Sequence, residues 1–145
     1  MSKGIRLTNQ ELEYMRLFES LTGAMVRDCI IDDKFDRVIF VIKEGEAGIA
    51  IGKGGKNIAL LEKITGKKYE VVEFSDDPAQ LIKNALKPAN IREIRITRKL
   101  DGNMIAVVSV DGKDKGIAIG KNGRNAEKVR FLAKRYFNIS NVLIV

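Results

Sequence analysis

Apolar residues recur along the chain at two periods, and their alternation lays out two similar halves. Leu12, Met15, Phe18 and Leu21 fall at near-helical spacing, with Leu17 widening the stripe. Thr8-Asn9-Gln10-Glu11 in front of them reads as a capping box, and Thr22-Gly23 as a stop. Residues 25–31 and 37–43 are predicted strands around the turn Asp32-Asp33-Lys34-Phe35-Asp36. A short apolar run then enters a glycine-rich loop. Behind Gly55 a helix is predicted to about Thr65, stopped by Gly66, with Ile58, Leu61 and Ile64 on an apolar face and Leu60 at its edge. A strand over 69–74 closes this half.

Ser75-Asp76-Asp77-Pro78 is read as a boundary and a helix start together, Asp77 suiting the N-cap and Pro78 the first turn. That helix runs over 78–86 and ends at Lys87-Pro88. Strands follow over 91–98, with Ile94 and Ile96 alternating, and over 104–110, with turns at Asp101-Gly102 and Asp111-Gly112. A helix over 124–137 places Ala126, Val129, Ala133 and Tyr136 on one face, and 141–145 is the last strand. The predicted domains are therefore 1–75 and 76–145. Each is small for an independent core, so the two are expected to pack together, and the junction leaves no flexible linker.

The two halves share a decisive stretch. Gly48-Ile49-Ala50-Ile51-Gly52-Lys53-Gly54-Gly55-Lys56-Asn57 returns 68 residues later as Gly116-Ile117-Ala118-Ile119-Gly120-Lys121-Asn122-Gly123-Arg124-Asn125, identical at eight of ten positions. Each copy is an apolar run, a Gly-x-x-Gly with Lys inside it, and a helix opening at the second Gly. The free N–H groups of that helix start favour phosphate. The spacing matches neither the Walker loop nor the dinucleotide fingerprint. A plain tight turn between two helices would use the same glycines, but a lysine in both loops and a basic helix behind each favour an anion. Lys56, Lys63 and Lys67 form one basic stripe and Arg124, Lys128 and Arg135 the other.

Composition narrows the chemistry. The chain has 145 residues, 45% hydrophobic and 31% charged, with a formal net charge of +7. Residues 1–75 hold 12 basic and 12 acidic side chains, residues 76–145 hold 14 and 7, so the second half carries the whole excess. Such asymmetry points to a polyanionic partner. Histidine is absent and Cys29 is the single cysteine, lying in an apolar run as core. This excludes an intramolecular disulfide, a Cys/His metal site and a histidine-based triad. The three aspartates at 32, 33 and 36 read as a solvated turn, not metal ligands. There is no apolar signal core at the N-terminus and no membrane-length apolar stretch, so the expectation is a cytoplasmic protein with no membrane, no metal and no cofactor.

Ile51-Gly52-Lys53-Gly54-Gly55-Lys56-Asn57-Ile58 resembles the Ile-Gly-x-x-Gly-x-x-Ile core of the KH RNA-binding domain. Residues 119–126 are similar, with Ala126 in place of the last isoleucine. The element order of each half resembles the type II KH topology. The implied fold is α+β: two tandem type II KH domains, each a three-stranded mixed sheet covered by helices. Two such units in tandem resemble the central part of the NusA family of transcription termination and antitermination factors, and above all its archaeal NusA-like members. Bacterial relatives add a polymerase-binding domain and an S1 domain, for which 145 residues leave no room. RNA binding therefore carries over and polymerase binding does not follow.

The resemblance implies a non-catalytic protein that holds single-stranded RNA in both grooves, about four nucleotides to a KH unit. Gly52, Lys53, Gly54, Gly55 and Lys56, with Gly120, Lys121, Asn122, Gly123 and Arg124, are the expected backbone-binding residues. Ile49, Ala50, Ile51 and Ile58, with Ile117, Ala118 and Ile119, are candidates for an apolar floor under the bases or for the core. Two rivals stand beside this reading. A nuclease is opposed by the missing histidine and the lack of a paired-carboxylate motif. A protein-interaction module, with a ribosomal or RNA polymerase subunit as partner, would bind RNA alone poorly.

Overall fold

Thr8 starts the first helix by capping it in both directions. Its hydroxyl accepts the Glu11 N–H at 3.1 Å, and its own N–H donates to the Glu11 carboxylate at 2.8 Å. Helix α1 (Asn9–Thr22) follows and ends on the left-handed Gly23. The computed structural model describes residues 5–145.

Strands β1 (Val26–Asp32) and β2 (Arg37–Ile42) pair antiparallel, with Cys29 opposite Phe40. The chain then makes helix α2 (Ala47–Ile51), a 3-10 turn and helix α3 (Lys56–Thr65) before strand β3 (Lys68–Glu73). Strand β3 lies parallel to β2, Val38 beside Tyr69, giving a mixed sheet in the order β1-β2-β3. Parallel neighbours need a crossover connection. Helices α2 and α3 are that crossover, and the glycine-rich loop is its elbow.

The second unit repeats the plan. Helix α4 (Pro78–Leu86) is capped by the Asp77 carboxylate, which accepts the Gln80 N–H at 3.3 Å. Strands β4 (Ile91–Arg98) and β5 (Met104–Val110) are antiparallel. Helix α5 (Lys115–Ile119), the second loop and helix α6 (Arg124–Phe137) form the crossover to β6 (Ile139–Ile144), parallel to β5. The chain divides into two compact units, the first ending at Phe74 and the second beginning at Ser75.

The first unit's core holds Met15 and Phe18 from α1, Cys29, Val38, Phe40 and Ile42 from the sheet, and Ala50 and Leu61 from the crossover. Phe18 stacks on Phe40 at 4.4 Å between centroids, and Phe40 on Tyr69 at 5.6 Å. In the second unit α6 buries Ala126, Val129, Leu132 and Ala133, and packs on β6 and α4.

Several expectations shift. Strand β1 begins at Val26, not Met25, because the Met25 N–H is taken by the Glu46 carboxylate at 2.6 Å. Strand β6 begins at Ile139, since the left-handed Asn138 ends α6 and turns the chain at once. Ile64 is not on a covered face but exposed, like Leu60: the buried arc of α3 is centred on Leu61 and skewed toward Ile58 and Thr65. Lys128 leaves the exposed basic stripe. One turn from Leu132 on the packed side of α6, it is buried.

Arg37 is the feature that hydrophobic patterning missed. Its side chain is 1% exposed at the start of β2. Its Nε donates to Asp32 at 2.8 Å and its guanidinium pairs with Glu70 on β3 at 3.2 Å. Asp32 also accepts the Lys34 N–H at 3.1 Å, so the acidic turn is spent on holding the hairpin.

Candidate nucleic-acid interface

Each loop is an exposed elbow between two helices whose shape is set by its backbone. Gly52 sits at φ 79°, ψ 165° and Gly120 at φ 77°, ψ 165°, a region open only to glycine. Both are also crowded. A Cβ on Gly52 would lie 2.8 Å from the Asn57 side chain, and one on Gly120 would lie 2.9 Å from the backbone nitrogen of Asn125. Two residues on, Gly54 (φ 64°, ψ 20°) and Asn122 (φ 57°, ψ 23°) take the same left-handed conformation. Asparagine tolerates it, so the two loops match although their residues differ.

Hydrogen bonds hold each elbow from both sides. The Gly52 N–H donates to Gly48 at 2.9 Å and the Gly120 N–H to Gly116 at 2.9 Å, which finishes the short helices. Across the loop, the Asn57 amide donates to the Ile49 carbonyl at 2.9 Å and the Asn125 amide to the Ile117 carbonyl at 2.8 Å. Neither asparagine was singled out on sequence grounds. Their signal was the repeat itself, which carries asparagine at its tenth position twice. Acids at matched positions anchor the other end of the crossover. Glu46 accepts the Met25 N–H, and Asp114 accepts the Asn90 N–H at 2.9 Å, tying the start of each short helix to the start of each first strand.

Lys53, Gly54, Lys56, Lys121 and Asn122 are exposed, and Gly52, Gly55, Gly120, Gly123 and Arg124 are partly covered. Beside the loops Ile49 is 52% and Ile117 47% exposed, with Ile51 exposed and Ile119 partly so. Ala50 and Ala118 are different. Both are fully buried, the one fully buried residue in each short helix, so no base reaches their side chains. Ile58 is partly buried against the first unit's core, and Ala126 is buried in the second.

The surface thus pairs a cationic elbow with an apolar shoulder, twice. Two concavities lie elsewhere, one of about 280 Å³ along α1 at Gln10, Glu13, Tyr14 and Leu17, the other of about 440 Å³ between Arg98 and Ser140. Neither includes a loop residue. Among the described residues no cluster of three acidic, histidine or cysteine side chains could hold a metal, and no helix is long and apolar enough to cross a membrane.

Comparison with known proteins assigns both units. Residues 14–76 match the KH domain family and residues 78–142 the NusA-like second KH domain. A protein of Methanocaldococcus jannaschii named probable transcription termination protein NusA is 31% identical over 141 residues, which cover 97% of this chain and 75% of the relative. The Halococcus morrhuae protein of the same name is 36% identical over 138 residues, 95% of this chain and 96% of that one. The chain belongs to the NusA-like family of KH-domain proteins. The crystal structure of APE1850 superposes with a TM-score of 0.83 at 40% identity, covering 96% of this chain and all of that one. Tandem KH domains on an α+β frame, read from the two loops, are therefore the architecture of this NusA-like protein.

Proposed function

We propose that this NusA-like protein is a non-catalytic factor of transcription termination and antitermination in the cytoplasm. It grips single-stranded RNA on both Gly-x-x-Gly loops, its two KH modules divided near residue 75. The observation that carries the reading is the duplicated elbow: exposed Lys53 and Lys121 on a backbone held rigid by Gly52/Asn57 and Gly120/Asn125, each beside an exposed isoleucine. Phosphates sit on the loop N–H groups and lysines, which positions the strand. Bases spread over Ile49, Ile51, Ile117 and Ile119, contacts that single strands alone can offer. Its relatives' names support the transcriptional role. RNA polymerase and ribosomal proteins are candidate partners in the same process.

The test is binding of labelled single-stranded and duplex RNA across a salt series. If about four to six phosphates are neutralised, log K falls against log salt with a slope of roughly −3 to −4. Lys121→Asp with Asn122→Asp removes most of that binding and leaves the circular dichroism spectrum unchanged, because both side chains are exposed. A flat salt response, equal affinity for duplex, or an unaffected double variant refutes the reading.

A further inference from the structure

The two units differ at the end of the crossover away from the loop. Helix α6 has 14 residues where α3 has 10, one further turn. Lys134 and Phe137 in that last turn line the concavity of about 440 Å³, which the base of the β4–β5 hairpin, from Arg98 to Met104, and the start of β6 complete. A helix of this length is roughly 20 Å long, so the concavity lies well away from the elbow at Lys121.

Two cations line it without a carboxylate. Along β4 and its hairpin, Arg92 pairs with Asp111, Arg95 with Glu93 and Lys99 with Asp101. Arg98 and Lys134 have no carboxylate partner among the described residues. Neutral groups hold the Arg98 guanidinium instead: Nη1 donates to the Gly102 carbonyl at 3.1 Å, and Nη2 lies 3.8 Å from the Met104 sulfur. Its charge is thus fixed in place and not cancelled. Asp101, in the same hairpin, is turned into its own bend, accepting the Asn103 N–H at 2.9 Å and the Asn103 amide at 3.2 Å. The negative end of α6 is capped, because the Asn138 N–H donates to the carbonyls of Ala133 and Lys134. At the same end of the first unit's sheet the charges are neutralised. There Arg37 closes on Asp32 and Glu70, and Lys68 on Glu62 at 3.7 Å.

Partly buried Phe137 and Met104 add apolar surface beside the cations. We infer that this concavity is a nucleotide site, taking a phosphate on Arg98 and Lys134 and a base against Phe137 and Met104. A planar guanidinium fork matches phosphate, and an aromatic ring with a thioether accepts a flat base. The volume is that of a small-ligand site. The smaller concavity on α1 is lined by Glu13 and no cation, so it does not share this chemistry. The nucleotide is either free or one unit of an RNA strand, and the site does not depend on the loops.

The experiment titrates the isotope-labelled full chain with each ribonucleoside 5′-monophosphate, with inorganic phosphate and with a hexaglutamate peptide, following backbone amide signals by NMR. At least one nucleotide is expected to shift the signals of residues 98–104 and 134–140 saturably, binding about five-fold or more tighter than inorganic phosphate. Lys134→Glu and Arg98→Gln each weaken this by about five-fold or more. Lys83→Glu, an exposed charge reversal on α4, does not, and neither does Lys121→Asp/Asn122→Asp, which tests the loops alone. A 20-nucleotide random-sequence single-stranded RNA that displaces the nucleotide identifies an RNA strand as its source, and one that leaves it bound identifies a free nucleotide. The inference is overturned if no nucleotide saturates these signals, if Lys134→Glu and Arg98→Gln bind as the wild type does, or if inorganic phosphate binds as tightly. Equal binding of hexaglutamate also overturns it and assigns the cations to an acidic protein segment.

Discussion

Gly120→Ala is the most informative single change in the loop, because two penalties with different origins meet there. At φ 77°, ψ 165° an alanine enters a glycine-only region, a cost of order 1–3 kcal/mol. Its Cβ also comes within 2.9 Å of the Asn125 backbone nitrogen, which cannot swing away as a side chain does. Together these predict a loss of about 2–4 kcal/mol in the second unit. Gly123→Ala is the matched comparison. It is left-handed at φ 81°, ψ 14° with open space around it, so only a conformational cost of about 1–2 kcal/mol applies. Urea unfolding followed by circular dichroism resolves the difference. With a slope of about 1–3 kcal/mol per molar, 2 kcal/mol moves the midpoint by roughly 0.7–2 M. Adding Asn125→Ala does not rescue Gly120→Ala, since the backbone nitrogen stays. Equal midpoints for Gly120→Ala and Gly123→Ala, or full rescue by Asn125→Ala, would show that the close approach is not what demands glycine.

Two further predictions concern the first unit. Arg37→Met removes a buried guanidinium from Asp32 and Glu70. Because both carboxylates keep about a fifth of their exposure, the expected loss is roughly 2–3 kcal/mol by urea titration, below that of a fully buried broken pair, and a loss under about 0.5 kcal/mol refutes the role. Burial pushes the Tyr69 phenol above its ordinary 10.0, outweighing the Thr65 hydrogen bond that lowers it. The folded chain therefore keeps a proton that the unfolded chain releases, and this stabilisation, whole below about pH 10, is lost as pH rises from there through the folded pKa. Tyr69→Phe is expected to lose less stability than the wild type between pH 9 and 11, and to cost about 1 kcal/mol at pH 7 through the lost 2.7 Å bond to Thr65; parallel pH curves refute it.

Periodicity and punctuation located the elements because each boundary residue has a local mechanism. Thr8, Gly23, Gly66 and Asp77 act on their own helix ends, and all four stand where the spacing placed them. The misplaced residues answer to partners distant in sequence. Met25 leaves its strand for Glu46, 21 residues on, and Arg37 is buried only because β3 brings Glu70 beside it. Ile64 and Lys128 reverse their expected exposure because a helix's apolar stripe says which arc could be buried, while the sheet below decides how much of it is. The loops were readable since the repeat marks them. Their asparagines carry the same repeat mark, but their bracing role was not readable, because a side chain bonding to a carbonyl eight residues back leaves no periodic trace.

The pairing of Gly54 with Asn122 bears on how the site works. If glycine alone shaped the loop, a residue with a Cβ in the second copy would relax to a different turn. It does not: both positions are left-handed within a few degrees, and both loops close the same bonds, Gly55 to Gly52 at 3.1 Å and Gly123 to Gly120 at 3.0 Å. The conformation is therefore imposed from the flanks, by the crossover between parallel strands and by the brace of Asn57 or Asn125. A loop shaped in this way does not have to be ordered by its ligand, which lowers the entropic cost of binding. In the proposed RNA-binding mode the affinity is carried by few groups, the backbone of the elbow, one lysine inside it and the isoleucine beside it, and duplication supplies the reach that a single small unit lacks.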